Sequence, residues 1–174
     1  MKKMIFVSCS ILFVVVIAAC QFPGTKIQPG DKIGNMQFTN VWDECQAPNI
    51  HEVCEGGWDA LQEGTCEIPT DVTKFWIASG WQEDTQDLLE ASWKDSTWNL
   101  TVDDYKVDLP AFGTFDIPAP NGQPARVWNV CIINPKPGPH TAVYQYSMVH
   151  SFEHGNFYRW IKFTVLPGDK TPVP

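Results

Sequence analysis

An antiparallel β-sandwich carrying one short helix is the fold class predicted by three features of this chain. Apolar and polar residues alternate with a period of two over several runs. Those runs are rich in aromatic and β-branched side chains, which suit a pleated, half-buried surface. Prolines and glycines fall between the runs and not within them, where a missing N–H would break a ladder.

The one predicted helix covers 84–93, with Asp84 or Thr85 as its cap and Leu88, Leu89 and Ala91 as its apolar residues. Thr97–Val102 then places Trp98, Leu100 and Val102 on one face and polar residues on the other. Asp103-Asp104 supplies a turn without glycine, and 105–109 reads as the returning arm of a hairpin. Three long strands follow at 125–133, 141–150 and 157–166, separated by Pro135-Lys136-Pro137-Gly138 and by Glu153-His154-Gly155-Asn156. Pairing the last two about a turn at 153–156 sets Tyr144 opposite Phe163 and Tyr146 opposite Ile161, facing inward. The same register turns Val149, Tyr158 and Trp160 outward beside Gln145 and Lys162. A one-residue slip of either strand would exchange the two faces.

Within this region KPGPHTAVYQY, residues 136–146, resembles the penultimate strand of immunoglobulin-like and fibronectin-III-like domains, in which Pro and Gly precede a corner aromatic and an alternating strand. The resemblance implies an immunoglobulin-like sandwich and no particular binding role. His140 stands where a corner tyrosine often sits, and the cysteine-tryptophan-cysteine framework is missing. His140 is therefore expected to make a corner hydrogen bond and not to catalyse.

The N-terminus carries a different signal. Met1-Lys2-Lys3 is followed by an apolar run to Ile17 and then by Ile17-Ala18-Ala19-Cys20. Residues 1–20 resemble a bacterial lipoprotein precursor, which implies transfer of a diacylglyceryl group to the Cys20 thiol and cleavage before it. An uncleaved membrane helix fits less well, because the run is shorter than the roughly 20 residues a span needs and is interrupted by Ser8, Cys9 and Ser10. Each acyl methylene buried in lipid contributes about 0.8 kcal/mol, so two or three chains hold a protein stably. Gln21 follows the cysteine in place of an inner-membrane retention aspartate. The expected location is the cell envelope, anchored to the membrane through lipidated Cys20 on the extracytoplasmic side. The expected organisation is a signal peptide at 1–19, a lipid-attached flexible tether at 20–34, one sandwich domain at 35–166 and a flexible tail at 167–174.

Loss of Lys2 and Lys3 takes the formal charge from −8 to −10, which disfavours nucleic acid and anionic head groups. Of six cysteines, Cys9 leaves with the signal and Cys20 takes lipid. The remaining Cys45, Cys54, Cys66 and Cys131 predict two disulfides in an exported chain. Three pairings are possible; one bridge inside the 45–66 loop and one reaching Cys131 is the expected set. A zinc site at Cys45, His51, Cys54 and Cys66 is the alternative, but it lacks any C-x2-C knuckle. No metal or cofactor is expected.

Catalytic signatures are absent: there is no G-x-S-x-G, H-E-x-x-H, phosphate-binding glycine loop or S-x-x-K. His51 with Asp43, Glu44 and Glu52, or His150 with Glu153 and His154, could meet as acid–base or metal clusters; solvated neighbours are the expected reading. Asn99-Leu100-Thr101 matches a glycosylation sequon, read as coincidence on a predicted strand. Eight tryptophans stand out. Trp98 and Trp128 are assigned to the core, Trp42 and Trp58 to the cysteine loop, and Tyr158, Trp160 and Val149 to an exposed face. The expected function is a non-enzymatic, lipid-tethered module that presents this face to a glycan or an envelope protein, because rigid aromatic rings bury large area with little loss of rotamer freedom. An envelope hydrolase using unidentified carboxylates and a structural subunit of an envelope complex are the alternatives.

Overall fold

The computed structural model describes residues 26–151 and 153–167. Its first part comprises β1 (Lys32–Ile33), β2 (Met36–Thr39), α1 (Ile50–Val53), α2 (Gly57–Glu63), β3 (Cys66–Ile68), β4 (Lys74–Trp76) and β5 (Gly80–Gln82). After these come α3 (Gln86–Lys94), β6 (Thr97–Val102), β7 (Tyr105–Val107), α4 (Leu109–Phe112), β8 (Thr114–Pro118), β9 (Pro124–Trp128), β10 (Cys131–Ile133), β11 (Gly138–Met148) and β12 (Gly155–Val165). The strands form three sheets, ordered β1-β2-β10-β4, β3-β12-β11-β6-β7 and β5-β9-β8. All pairs are antiparallel except β3 with β12. The described residues are thus mostly β with several antiparallel sheets, but they carry four helices where one was predicted. Among the described residues no helix is long and apolar enough to cross a membrane.

Alternation dictates the five-stranded sheet. Leu100, Val102, Ala142, Tyr144, Ile161, Phe163 and Val165 are buried on its inner face, against Phe38, Phe75 and Ile132 of the four-stranded sheet. Phe75 meets Phe163 edge-on at 5.5 Å, a favoured aromatic geometry. The Tyr144 hydroxyl donates to the Ile77 carbonyl at 2.8 Å, so its polar end is satisfied inside the core; burial pushes this phenol far above its usual range. The hairpin between β6 and β7 turns on Asp103 and Asp104 at φ +48° and +67°. Two successive positive φ values are what a two-residue type I′ turn demands, and aspartate tolerates them better than most side chains.

Several expectations are revised. The predicted tether does not extend to residue 34: Ile27 is 2% exposed and pairs with β7 through its N–H to the Lys106 carbonyl. Burying that isoleucine and pairing β1 with β2 place 26–34 on the folded body. The signal segment 1–19, Cys20 and residues 168–174 lie outside the described residues. The predicted strand 125–133 is two strands, β9 and β10, in different sheets; the Asn129 side chain donates to the Asn40 carbonyl, and the chain changes sheet there. The predicted helix is α3, capped by the Thr85 hydroxyl, which accepts from the Leu88 N–H. Leu89 is buried, but Leu88 points outward at 46% exposure, and Ser92 takes the second inward position.

The β11–β12 register differs from the expected one by four residues. Tyr144 faces Arg159 and Tyr146 faces Phe157, with Ile161 opposite Ala142 and Phe163 opposite His140. The chain leaves β11 at Met148 and starts β12 at Gly155, so the turn is centred earlier than the 153–156 segment. A four-residue shift is even, so the side chains that remain within the two strands keep their predicted faces.

Disulfides join Cys45 to Cys131 and Cys54 to Cys66, the expected set. The first ties the loop after β2 to β10, and the second closes the α1–α2 unit onto β3. The sulfurs needed for the zinc alternative are thereby consumed in pairs.

His140 occupies the corner. Its Nδ1 lies 2.6 Å from Asp103 Oδ2 and its Nε2 lies 2.6 Å from the Lys136 carbonyl, while Asp103 Oδ1 accepts from the Thr141 N–H at 3.0 Å. Both ring nitrogens face acceptors, so the ring satisfies both only as the doubly protonated imidazolium. The Asp103 hydrogen bond holds His140 above its ordinary pKa against the opposing effect of burial. Burial raises Asp103, but the hydrogen bonds from His140 and Thr141 outweigh it and leave the carboxyl below its usual value.

Two outcomes are expected. The corner contributes fully between the unfolded Asp and His pKa values, about 3.9 and 6.5. It is lost as pH rises through the elevated His140 value, and again in acid as pH falls through the depressed Asp103 value. Denaturant titrations from pH 5 to 9 should therefore show wild type losing stability relative to His140→Gln over the alkaline half; parallel curves would remove this role. For the bridges, chain entropy assigns about 4.6 kcal/mol to a loop of 86 residues and about 2.8 kcal/mol to one of 12. Unfolding of the Cys45→Ala, Cys131→Ala pair and of the Cys54→Ala, Cys66→Ala pair should rank the costs in that order.

Candidate functional site

Two surfaces stand out on opposite faces of β12. On the outer face, Tyr158 and Trp160 are 58% and 50% exposed, with ring centroids 5.8 Å apart and planes inclined by 18°. Residues two apart on a strand share a face, so β12 itself sets this pair side by side. Gln145 faces Tyr158 and Val143 faces Trp160 across the ladder. A groove of about 160 Å³ beside Tyr158 is lined by the amides of Asn99, Gln145 and Asn156. Val149, placed on the same face by the sequence, is 55% exposed but sits in the turn after β11 and not on the sheet face. The structure thus brings together Tyr158 and Trp160, and adds the three amides.

On the inner face, β12 contributes Arg159 to a cleft of about 940 Å³. Its walls come from the α1–α2 unit with His51 and Trp58, from β5 with Trp81, from β9 with Ala125 and Val127, and from β11 with Tyr146. Glu52, Glu83, Asp84 and Glu153 place carboxylates around it. Gly80 lets one wall form: a Cβ there would fall 2.0 Å from the Arg126 carbonyl oxygen and 2.7 Å from Val127 Cα. Any side chain would therefore push β5 off β9.

The cleft side chains are held in place. The Trp81 indole donates to Glu83 Oε1 at 2.9 Å and to the Ser151 hydroxyl at 3.1 Å, and packs on Tyr146 and Phe157. Glu83, itself nearly buried, also accepts from the Ser92 hydroxyl at 2.7 Å, which ties β5 to α3. The Arg159 guanidinium lies 4.1 Å from the Trp58 ring centre, a cation–π geometry. His51 stacks on the same indole at 4.5 Å, and its Nδ1 is buried with no hydrogen-bond partner among the described residues. Burial lowers the Arg159 pKa from its usual value, although a guanidinium stays charged at any physiological pH.

The sequence-predicted clusters disperse. His51 Nε2 reaches Glu52 at 3.9 Å, but Glu44 is occupied by the Thr39 hydroxyl instead of joining it. His150 pairs with Asp95 at 3.0 Å on the exposed surface and not with Glu153 or His154. Among the described residues no group of three or more His, Cys, Asp or Glu side chains is arranged to hold a metal. Trp128 is buried in the core as expected, and Trp98 is partly buried and packs against it. Trp42 is exposed and stacks on Trp76 at 5.7 Å, while Trp58 turns from the cysteine segment into the cleft.

Arg159, Trp81, Tyr146 and the whole cleft were missed from sequence, because their parts are spread over more than a hundred residues. One signal was available: the chain has two arginines, and one of them lies on the alternating strand that ends the fold. No family model matches this chain, and neither the curated proteins nor the solved structures contain a match.

Proposed function

We propose that this chain is a non-enzymatic envelope module, lipid-anchored through Cys20, that binds a neutral glycan on the outer face of β12. The carrying observation is the half-exposed Tyr158 and Trp160 pair, stacked with nearly parallel rings on a long paired strand. Aromatic rings at solvent present large apolar area at low rotamer cost. Two side by side offer exposed ring surface to the C–H face of a pyranose, and the amides of Asn99, Gln145 and Asn156 beside them supply donors and acceptors for hydroxyls. A net charge of −8 argues against polyanionic partners, which leaves neutral polysaccharide as the favoured class. The lipobox-like residues Ile17 to Cys20 support the anchor. The long β11–β12 hairpin and the His140 corner support an immunoglobulin-like reading of the five-stranded sheet.

Detergent-solubilised full-length chain should be retained on insoluble cellulose, chitin or β-glucan. Tyr158→Ala with Trp160→Ala should reduce that affinity at least tenfold, while Trp42→Ala, an exposed tryptophan elsewhere, leaves it unchanged. Absence of retention on every matrix, or retention that survives the double change, rules the reading out. Intact mass of chain extracted from host membranes should begin at Cys20 with the added lipid; a free thiol there would remove the anchor.

A further inference from the structure

The two arginines of this chain have opposite surroundings. Arg126 is clamped by two carboxylates: its Nη1 and Nη2 donate to Glu90 at 3.0 and 2.6 Å, and its Nε and Nη2 donate to Asp116 at 2.6 and 2.8 Å. Arg159 makes no hydrogen bond or ion pair with any described residue. It is nevertheless half-buried, steadied against Trp58, and borders the cleft. Its five donors are left free by the described residues, and its planar fork matches a carboxylate bidentately. The Arg159 nitrogens are not among the buried polar atoms cut off from solvent, so a ligand can reach them.

The rest of the lining narrows the ligand. Glu52 and Glu153 bring negative charge to the same cleft, which repels a simple anion and attracts a cation. Trp81 and Tyr146 offer apolar walls. A neutral ligand would leave Arg159 unpaired, and a polyanion would meet the carboxylates. We infer that this cleft binds a small zwitterion of the amino-acid or short-peptide class, its C-terminal carboxylate on Arg159 and its ammonium among Glu52 and Glu153. A cleft of about 940 Å³ lies in the size range of small-molecule sites. The site is separate from the glycan platform, since Arg159 and its neighbours Tyr158 and Trp160 point to opposite faces of β12.

The presence of two arginines allows a test on unaltered protein. Phenylglyoxal modification of the detergent-solubilised full-length chain, mapped by peptide mass, should label Arg159 faster than the ion-paired Arg126. The tripeptide Ala-Ala-Phe with free termini should slow Arg159 labelling at least fivefold without changing Arg126. The C-terminally amidated peptide should give no protection, and the N-acetylated peptide should protect at least fivefold less well. Calorimetric affinity for the free peptide should fall at least tenfold in Arg159→Lys, which keeps the charge and loses the fork. Four results would overturn the inference: Arg159 inert to the reagent, no protection at millimolar peptide, equal protection by the amidated form, or stronger protection by inorganic phosphate or glucuronate than by the peptide.

Discussion

Trp98 and Tyr146 stack at 4.3 Å, and this contact is the middle of a continuous run of rings. Trp128, Trp93 and Trp98 lie on one side at spacings of 5.4 and 5.2 Å, and Phe157 and Trp81 on the other at 5.1 and 5.6 Å. The run crosses from β9 and α3 over β6, β11 and β12 to β5, so it joins the small three-stranded sheet and its helix to the five-stranded sheet. Aromatic pairs contribute about 0.5–1.5 kcal/mol each beyond the area they bury. More important is their stiffness: with two side-chain torsions each, packed rings fix the separation of the layers they bridge. The cleft exists because this run holds the small sheet against the inner face at one end.

Electrostatics follow the same division. On the far side of the small sheet, Arg126 binds Glu90 and Asp116 in a clamp that fastens α3 to β8 and β9; these hydrogen bonds hold both carboxyls below their usual range. The two acids are largely exposed, so the clamp contributes less than its geometry suggests. Its value lies in orienting α3, whose Trp93 enters the aromatic run and whose Ser92 fixes Glu83. The cleft wall is therefore supported from behind by charge and from the side by stacking.

Much of this was legible in the chain, and what was not has identifiable physical causes. The inward and outward faces of β11 and β12 follow from a period of two, and they survive a wrong register because the error is an even number of residues. Turn chemistry located the β6–β7 hairpin, and helix capping located α3. The helices α1 and α2 escaped notice because they are only four and seven residues long and α2 begins at a Gly-Gly pair that reads as loop. The split at Asn129 escaped because an apolar run of Val, Trp, Cys and Ile broken by a single asparagine looks the same whether it stays in one sheet or passes between two. The tether boundary failed at one residue: Ile27, surrounded by Gly, Pro and Lys, gives no local sign that it pairs with β7. The cleft depends on segments that meet only after the sheets close, and no local pattern encodes that.

On the proposed anchoring, the pairing of Ile27 with β7 would also decide how the domain stands on a membrane. In the five-stranded sheet β7 is one margin, and β12 lies three strands away, about 14 Å across at ordinary strand spacing. A lipid on Cys20 would suspend the domain from the β7 margin, since the chain joins the folded body there. Tyr158 and Trp160 would then lie three strands from the anchored margin. Tension along the chain before Ile27 would load its two ladder bonds to β7 and Asp108 first.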